Sequence, residues 1–255
     1  MEKIDYRHHF VLVLDTETAN TITINDKLDM SNVLFYDLGW SVVDTKGRVY
    51  NERSFVNKDI FTYEKELMKS AYYSKKIPLY EKDLAEGSRV LASTYEIRKQ
   101  MLEDMALYRI TEIVAHNARF DVNALNSTIR WTSKSKYRYF LPFGTTVWDS
   151  MLMARSVIAK MPTYQRFCEE HELLTKTGRL SLTAESLYKF ITKNLDFVES
   201  HTGLEDVQIE RVIMFYCYRQ KKKMKKVLFS APTENAPPTP MQMQINKLYK
   251  YQNIL

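Results

Sequence analysis

The sequence predicts an α/β domain with a mixed central sheet flanked by helices. Three strand candidates come first and follow one another closely, with a hairpin turn signal between the second and the third. Helix patterns and short apolar strands then alternate along the chain. A meander followed by such alternation indicates a sheet with both antiparallel and parallel neighbours. At 255 residues the chain is long enough for one large domain with a sizeable core.

The first three strands are predicted from apolar runs. Residues 10–14 are rich in Val and Leu, so this strand is expected to be buried on both faces. Residues 19–32 are polar and predict a loop. Residues 33–43 and 48–56 form the next two strand candidates, and Asp44-Thr45-Lys46-Gly47 is the turn between them.

The rest of the chain predicts helices and short strands. Residues 57–93 interleave tyrosines with lysines and predict short helices and loops. Helices are further predicted at 97–108, 119–129, 182–191 and from about 203, with strands at 111–115 and 145–148. The last helix has the clearest pattern, since one face carries Ile209, Val212, Ile213, Tyr216 and Cys217.

Two acids, Asp15 and Glu17, directly follow the first strand. Side chains alternate along an extended chain, so both carboxylates point to the same side. Two anions held close together repel, and burial raises the cost of their charge. A cation between them would offset both effects, and oxygen ligands suit Mg²⁺ or Mn²⁺. Two solvated acids at a strand end are the alternative explanation.

Three further candidates lie near predicted helix starts. Asp121 lies early in the helix after the strand at 111–115, and Asp206 opens the last helix, five residues after His201. A negative charge near a helix N-terminus is also favourable without a metal, so neither acid indicates a site by itself. The combination is more specific: an Asp-x-Glu at the first strand, an Asp in a later helix, and then His-x4-Asp.

This combination resembles the DEDDh subgroup of 3′→5′ exonucleases, the family of the proofreading subunit of bacterial DNA polymerase III. The resemblance covers roughly residues 8–220 and rests on Val-Leu-Asp-Thr-Glu-Thr, Ala-His-Asn-Ala-Arg-Phe-Asp and His-Thr-Gly-Leu-Glu-Asp. It implies a ribonuclease H-like fold and two divalent ions, Mg²⁺ or Mn²⁺. Asp15, Glu17 and Asp206 would bind one ion. Asp15 would bridge to the second, which Asp121 would contact directly or through water, and His201 would be the general base.

The chemistry agrees with this assignment. Two cations about 4 Å apart stabilise the attacking and leaving oxygens of a phosphodiester. A histidine whose unperturbed pKa is about 6.5 can accept a proton near neutral pH. Candidate substrate contacts are Thr16, Thr18, Asn117 and Phe120. Asn117 is alternatively a helix cap, and Phe120 is equally compatible with a core position.

Two other polar residues near the motifs are expected to be structural. His116 is predicted to tuck its ring into the core or to bond to the backbone, and Asp149 ends a predicted strand. Insertions relative to compact members of the family are inferred near residues 57–93 and 130–145. Residues 130–140 interleave basic and aromatic side chains, which suits single-stranded nucleic acid or an exposed loop anchored by its rings.

The excess positive charge is concentrated near the end of the predicted domain. Net charge is +6, and Arg219 with five lysines at 221–226 accounts for it, because the remaining 31 basic residues equal the 31 acids. This cluster is either a phosphate contact or a solvated helix end. We place the exonuclease domain at residues 1–226, and a linker and tail at 227–255, where four prolines follow Ser230.

Two cysteines and the lack of an apolar N-terminal signal favour a cytoplasmic protein. No apolar run approaches the length of about 18 residues that a membrane span requires, so no membrane partner is expected.

The sequence therefore predicts a metal-dependent 3′→5′ exonuclease that acts on single-stranded ends, with DNA favoured over RNA, and releases 5′-mononucleotides. An enzyme that trims RNA or small oligoribonucleotides is a close variant. A catalytically silent module that binds nucleic acid, or is recruited by a polymerase, belongs to a different class, and the complete set of acids argues against it. The tail would recruit a polymerase or another protein, so deletion of residues 231–255 is expected to weaken that complex while activity remains.

Overall fold

The computed structural model describes residues 4–20, 23–24, 27–28, 33–69, 71 and 73–230. The strands are β1 (Phe10–Ala19), β2 (Thr23–Ile24), β3 (Lys27–Leu28), β4 (Leu34–Asp44), β5 (Val49–Asn57), β6 (Val90–Ala92), β7 (Glu112–Ala115), β8 (Thr146–Asp149) and β9 (Val227–Ser230). The α-helices are α1 (Lys58–Phe61), α2 (Lys65–Lys69), α3 (Ile77–Glu86), α4 (Thr94–Tyr108), α5 (Arg119–Ser133), α6 (Ser150–Val157), α7 (Pro162–Glu170), α8 (Ala184–Thr192) and α9 (Gly203–Arg219). Short 3₁₀ turns cover Ser74–Lys76 and Ile158–Lys160.

A mixed sheet joins seven of the described strands in the order β6-β5-β4-β1-β7-β8-β9. Strand β1 lies at its centre, antiparallel to β4 and parallel to β7. The pairs β4–β5 and β8–β9 are antiparallel, whereas β5–β6 and β7–β8 are parallel. Helices cover both faces, so the predicted mixed sheet flanked by helices is confirmed. Strands β2 and β3 form a separate antiparallel pair within the segment 19–32, which was predicted to be a loop.

Strand β1 is longer than the sequence predicted, and this changes the position of its two acids. It continues past Leu14 to Ala19, so Asp15 and Glu17 lie inside the strand and not after it. Its antiparallel partner β4 pairs with it from Phe10 to Ala19, with an irregularity between Glu17 and Thr18. Because β4 satisfies the backbone of the polar half, the apolar run alone underestimated the strand.

The strand at one edge of the sheet lies beyond the predicted end of the domain at residue 226. Residues 227–230, which the sequence analysis assigned to the linker and tail, form β9 against β8. Residues 231–255 lie outside the described residues.

The two faces of β1 are buried in different cores. Leu12 and Leu14 pack in a cluster with residues of α4 and α5. Val11 and Val13 pack in the cluster formed with α6, α7, α8 and α9. Since side chains alternate along a strand, Asp15 and Glu17 continue the row of Val11 and Val13 and face the α9 layer. The same cluster holds Cys168 and Cys217, both as free thiols.

The segment between β5 and β6 packs as a third, smaller cluster. Its short helices α1, α2 and α3 confirm the prediction of short helices for residues 57–93. Ile60 and Tyr80 from this segment are buried against Tyr36 of β4. Among the described helices, none is both long enough and apolar enough to cross a membrane.

Candidate active site

An open cleft of about 560 Å³ lies where β1 extends beyond the end of β7. This volume falls within the range of small-ligand sites, roughly 300 to 1,000 Å³. Eight of the sequence-predicted site residues line it: Asp15, Thr16, Glu17, Thr18, Asn117, Phe120, His201 and Asp206. Strand β1, the turn after β7, and the start of α9 therefore bring together motifs that are far apart in the sequence.

Asp121 lies beneath the cleft and is only 2% exposed. Its Oδ1 accepts hydrogen bonds from the N–H of Thr16 at 3.1 Å and from the hydroxyl of Thr16 at 2.8 Å. At this point β1 has passed the end of β7, so a side chain from the start of α5 bonds to the strand edge instead. Both donors of Thr16 are engaged in this way, and a substrate contact through them would compete with Asp121.

Helix α9 contributes two acids to the cleft wall. Asp206 and Glu210 are four residues apart, which places them on the same side of the helix. Both are buried and both line the cleft. Of the face predicted from the sequence, Ile209, Ile213 and Cys217 are buried, whereas Val212 and Tyr216 are only partly buried. The buried face extends instead to Asp206 and Glu210.

The start of α9 is fixed by direct backbone packing on β4. A Cβ built on Gly39 would lie 2.3 Å from the N atom of Leu204, and a Cβ on Gly203 would lie 2.7 Å from the N atom of Gly39. Only glycine fits such an approach. The N–H of Gly203 also donates to the buried carboxylate of Asp37 at 2.9 Å. The position of Asp206 is therefore set by the sheet.

The acids interact strongly with one another. Burial raises the pKa of Asp15 well above its usual value, and further carboxylates add to the effect: Glu210, Asp121, Glu17 and Asp206. Burial, followed by the charges of Asp206 and Asp37, raises the pKa of Glu17 to about 9. Burial is also the main reason why the pKa values of Asp121 and Asp206 are raised to about 7. Such a cluster is stable as anions only if cations compensate it.

The donor set fits a hard divalent cation. Within the described residues, Glu17, His201 and Asp206 offer ligand atoms that all lie within 4.8 Å of one another. Glu210 adds a second indication. Its Oε1 accepts a hydrogen bond from the N–H of His116 at 3.1 Å, whereas its buried Oε2 has no hydrogen-bond partner among the described residues. A buried carboxylate oxygen without a partner is costly, and carboxylate oxygens are the ligands that Mg²⁺ and Mn²⁺ take.

His201 belongs to the irregular segment 193–202 between α8 and α9. Its side chain is 35% exposed, and its Nδ1 lies 3.9 Å from a carboxylate oxygen of Glu199. Partial burial and the charge of Lys76 both lower its pKa. The imidazole is therefore kept in its neutral form near pH 7, which is the form that accepts a proton.

The cleft residues that the sequence analysis missed include Glu210, Glu199 and Tyr73. Glu210 had a signal, since its spacing of four from Asp206 places both acids on one side of the last helix. Glu199 could be suspected only from its position two residues before His201. Tyr73 comes from the segment between β5 and β6, and no motif there pointed to the cleft.

His116 and Asp149, which were expected to be structural, make hydrogen bonds within the protein, and His116 also lines the cleft. The ring of His116 bonds to the hydroxyl of Ser150 at 2.8 Å and to the carbonyl of Leu182 at 2.7 Å. Asp149 caps α6 and also accepts from the N–H of Asn117 at 3.2 Å. The prediction that Asn117 caps a helix is wrong: the residue preceding α5 is Ala118, and Asn117 has a left-handed backbone with φ of 62° in the turn before it.

Phe120 packs against the core and also lines the cleft, so its position is compatible with both of its predicted roles.

The basic and aromatic segment 130–140 is anchored by several of its rings, while Lys134, Lys136, Tyr137 and Arg138 are exposed. The indole N–H of Trp131 donates to Glu64, and Phe140 is buried in the core. The guanidinium of Arg130 lies 4.9 Å from the ring centre of Tyr139. These contacts agree with a loop anchored by its rings.

Comparison with known proteins supports the fold. No family model and no curated protein matches the sequence. Among solved structures, the nuclease domain of 3′hExo, a DEDDh family member bound to rAMP, matches with a TM-score of 0.50 at 10% identity over 89% of this chain and 100% of that domain. Exonuclease I of E. coli with a dA16 oligonucleotide matches at 0.48 and 13% identity, over 84% of this chain but 42% of that protein. Pop2p of S. pombe in its Mg²⁺- and Mn²⁺-bound form matches at 0.46 and 12% identity, over 82% of each chain.

The match to the 3′hExo nuclease domain confirms the fold that the sequence resemblance implied. The chain has a ribonuclease H-like fold, with a mixed sheet of seven described strands between helices.

Proposed function

We propose that this protein is a metal-dependent 3′→5′ exonuclease that hydrolyses single-stranded nucleic acid from its 3′ end. The observation that carries the proposal is the convergence of Asp15, Glu17, Asp206 and His201 on one cleft, with Asp121 bonded directly beneath it. Buried carboxylates at this density indicate a site for cations, and an adjacent neutral imidazole indicates proton transfer.

Each residue then has a distinct task. Asp15, Glu17, Asp121 and Asp206 would hold two divalent cations, Mg²⁺ or Mn²⁺, which supply compensating charge for the phosphodiester. His201 would accept a proton from the attacking water. The water oxygen bonds to phosphorus while the bond to the 3′ oxygen of the preceding nucleotide breaks. The products are a 5′-mononucleotide and a strand one residue shorter with a 3′ hydroxyl.

The cleft also offers contacts for a terminal nucleotide. The ring of Phe120 faces the cleft and can pack against a base or sugar, and Thr18 and Asn117 present polar groups along the same wall. DNA is our favoured substrate and RNA trimming the alternative, so matched oligonucleotides of both kinds belong in the test. Recruitment of a polymerase through residues 231–255 stays a prediction, because these residues lie outside the described part of the chain.

The test compares wild-type protein with Asp15→Asn and His201→Gln. With Mg²⁺ or Mn²⁺, the wild type should shorten a 5′-labelled single-stranded oligonucleotide one nucleotide at a time. Loss of the metal ligand should abolish activity, and loss of a general base should lower kcat by about 10² to 10⁴. Calorimetric titration with Mn²⁺ separates the two roles, since only Asp15→Asn should lose affinity.

Two results would overturn the proposal. Shortening of a 3′-blocked oligonucleotide with a free 5′ end, one nucleotide at a time from that 5′ end, would reverse the polarity. Tight binding of oligonucleotides by the wild type without degradation under any metal would instead indicate a module without turnover. If His201→Gln loses Mn²⁺ affinity as Asp15→Asn does, His201 is a metal ligand and not the base.

A further inference from the structure

The imidazole of His201 is held by a different means from the acids around it. It lies in the irregular segment 193–202, and its own backbone adopts a left-handed conformation with φ of 51°. Such a backbone is unfavourable for a side-chain-bearing residue unless neighbouring groups hold it. Two side chains, those of Tyr73 and Lys76, contact this residue.

The first contact is a stacked aromatic ring. The phenol ring of Tyr73 lies parallel to the imidazole of His201, with 4.4 Å between the ring centres and an angle of 16° between the planes. Both rings line the cleft. A stacked neighbour covers one face of the imidazole and restricts its rotation, so the ring nitrogens keep a fixed direction relative to Glu17 and Asp206.

The second contact comes from a lysine that follows Tyr73 by about one helical turn. The ammonium group of Lys76 donates to the carbonyl oxygen of His201 at 3.2 Å and also to the carbonyl oxygen of Ser200. The same ammonium lies 4.7 Å from the centre of the Tyr73 ring. One cation thus contacts both the strained backbone of His201 and the ring that stacks on its side chain.

The segment that carries these two residues is anchored to the same place as Asp206. The hydroxyl of Tyr80 and the guanidinium of Arg89 both bind the buried Asp37, at 2.8 Å and 3.1 Å. Arg89 also binds Glu205 at 2.9 Å, next to Asp206 in α9. Because Asp37 accepts from the N–H of Gly203 as well, the segment and the start of α9 share one buried anchor.

From these contacts we propose that Tyr73 and Lys76 form a clamp that positions His201 for proton transfer. The clamp is supplied by the segment between β5 and β6, which the sequence analysis identified as an insertion. Tyr73 and Lys76 are positioning residues, since they act through His201. The inference rests on the proposed nuclease function, but its geometry can be tested independently of activity.

The experiment pairs each clamp variant with a matched control from the same segment. Tyr73→Ala is compared with Tyr73→Phe, which keeps the ring, and with Tyr63→Ala, whose ring is 64% exposed. Lys76→Met is compared with Lys75→Met, a neighbouring exposed lysine. Displacement of a reacting group by about 1 Å can cost roughly 100-fold in rate, so Tyr73→Ala and Lys76→Met should lower kcat by about 10- to 100-fold with KM changed less than about twofold.

An NMR measurement reports on the stack itself. Histidine-labelled protein should show the His201 ring protons shifted upfield by the Tyr73 ring, with assignment from a His201→Gln sample. Tyr73→Ala should remove this shift, while Tyr73→Phe and the two controls should keep both the shift and kcat. A thermal melt of each variant identifies any that fails to fold, in which case the Lys76 pair carries the test.

The outcomes separate this inference from the proposed function. If Tyr73→Ala retains wild-type kcat, or if Tyr73→Phe loses as much activity as Tyr73→Ala, the clamp is overturned while the nuclease stands. If the wild type cleaves nothing, the nuclease proposal falls, and an upfield His201 signal that Tyr73→Ala removes would still support the stacked geometry. A His201 signal that Tyr73→Ala leaves unchanged would overturn it.

Discussion

Two parts of the cleft are built in contrasting ways. The acidic wall, formed by Asp15, Glu17, Asp121, Asp206 and Glu210, is carried by the regular elements β1, α5 and α9. His201 lies close to Glu17 and Asp206 but is carried by an irregular segment. Side chains from a distant part of the chain, Tyr73 and Lys76, contact it. Regular backbone therefore holds the wall, whereas the histidine is contacted by side chains of a separate segment.

This difference has a physical reason. Five acids at close range repel, so only a framework of strands and helices can hold them in place. A proton acceptor has to face water and substrate, so it cannot be buried to the same degree. Perturbing the framework should therefore cost more stability than perturbing a single group in the wall, and the predictions below begin with the framework.

The largest effect is expected from Gly39→Ala, which breaks the framework under the acidic wall. The new Cβ would overlap the backbone of Leu204 and Gly203, which cannot rotate away. Overpacking of this kind costs typically about 1 to 3 kcal/mol, and the displaced start of α9 would move Asp206. Activity should fall by at least about 100-fold. Thermal unfolding and oligonucleotide degradation measure the two effects.

The control for this variant is Gly144→Ala. Gly144 has a left-handed backbone, with φ of 79°, and a Cβ there meets no atom within 4 Å. It should cost about 1 kcal/mol of conformational strain and leave activity unchanged. Equal loss of activity in both variants would show that the close contact between β4 and α9 does not position the site.

An intermediate effect is expected from Glu210→Gln, which changes the charge of the wall without changing its shape. The amide oxygen can still accept from the N–H of His116. The variant also removes a carboxyl group whose pKa is raised well above its usual value by burial and by the charge of Asp121. The metal-free protein should gain about 1 kcal/mol, or roughly 2 to 4 °C in Tm. The rise in Tm on addition of Mn²⁺ should shrink. If that rise equals the wild-type value, Glu210 does not face the cations.

The protein without any substitution should show a pH dependence of stability that belongs to the wall. The pKa values of Asp121 and Asp206 are raised to about 7 in the folded protein, whereas in the unfolded chain these groups ionise at about pH 4. Between these values the unfolded chain has released protons that the folded protein retains. The metal-free protein should therefore lose stability as pH rises from about 4 to about 7.

Bound cations should reverse this loss, because they bind the ionised carboxylates. The rise in Tm on addition of Mn²⁺ should accordingly be larger at about pH 8 than at about pH 5.5. Melting curves at both pH values, recorded with Mn²⁺ and with a chelator, measure this rise in Tm. Asp121→Asn serves as the control and should flatten the dependence. Equal Mn²⁺ effects at the two pH values would contradict the assignment of these acids as metal ligands.

Local patterns in the sequence were sufficient to single out four of the five acids of the wall, all except Glu210. The Asp-x-Glu spacing implied two carboxylates on one side of an extended chain, and the His-x4-Asp string located the start of α9. These inferences hold because the period of a strand and the start of a helix are set by nearby residues. The length of β1 was not predicted, because its polar half is held by pairing with β4, which only the sheet supplies.

The sequence by itself determined the fold class, and it singled out the four acids and the histidine as candidates through motifs whose spacing lies within single segments. Only the tertiary structure decided that Tyr73 and Lys76 reach His201, that Glu210 faces the cleft with an unpartnered oxygen, and that Gly39 sets the position of α9. Contacts across more than a hundred positions, such as that between Lys76 and His201, leave no periodic signal in the chain. They exist because separate elements are packed to close contact, which no local pattern encodes.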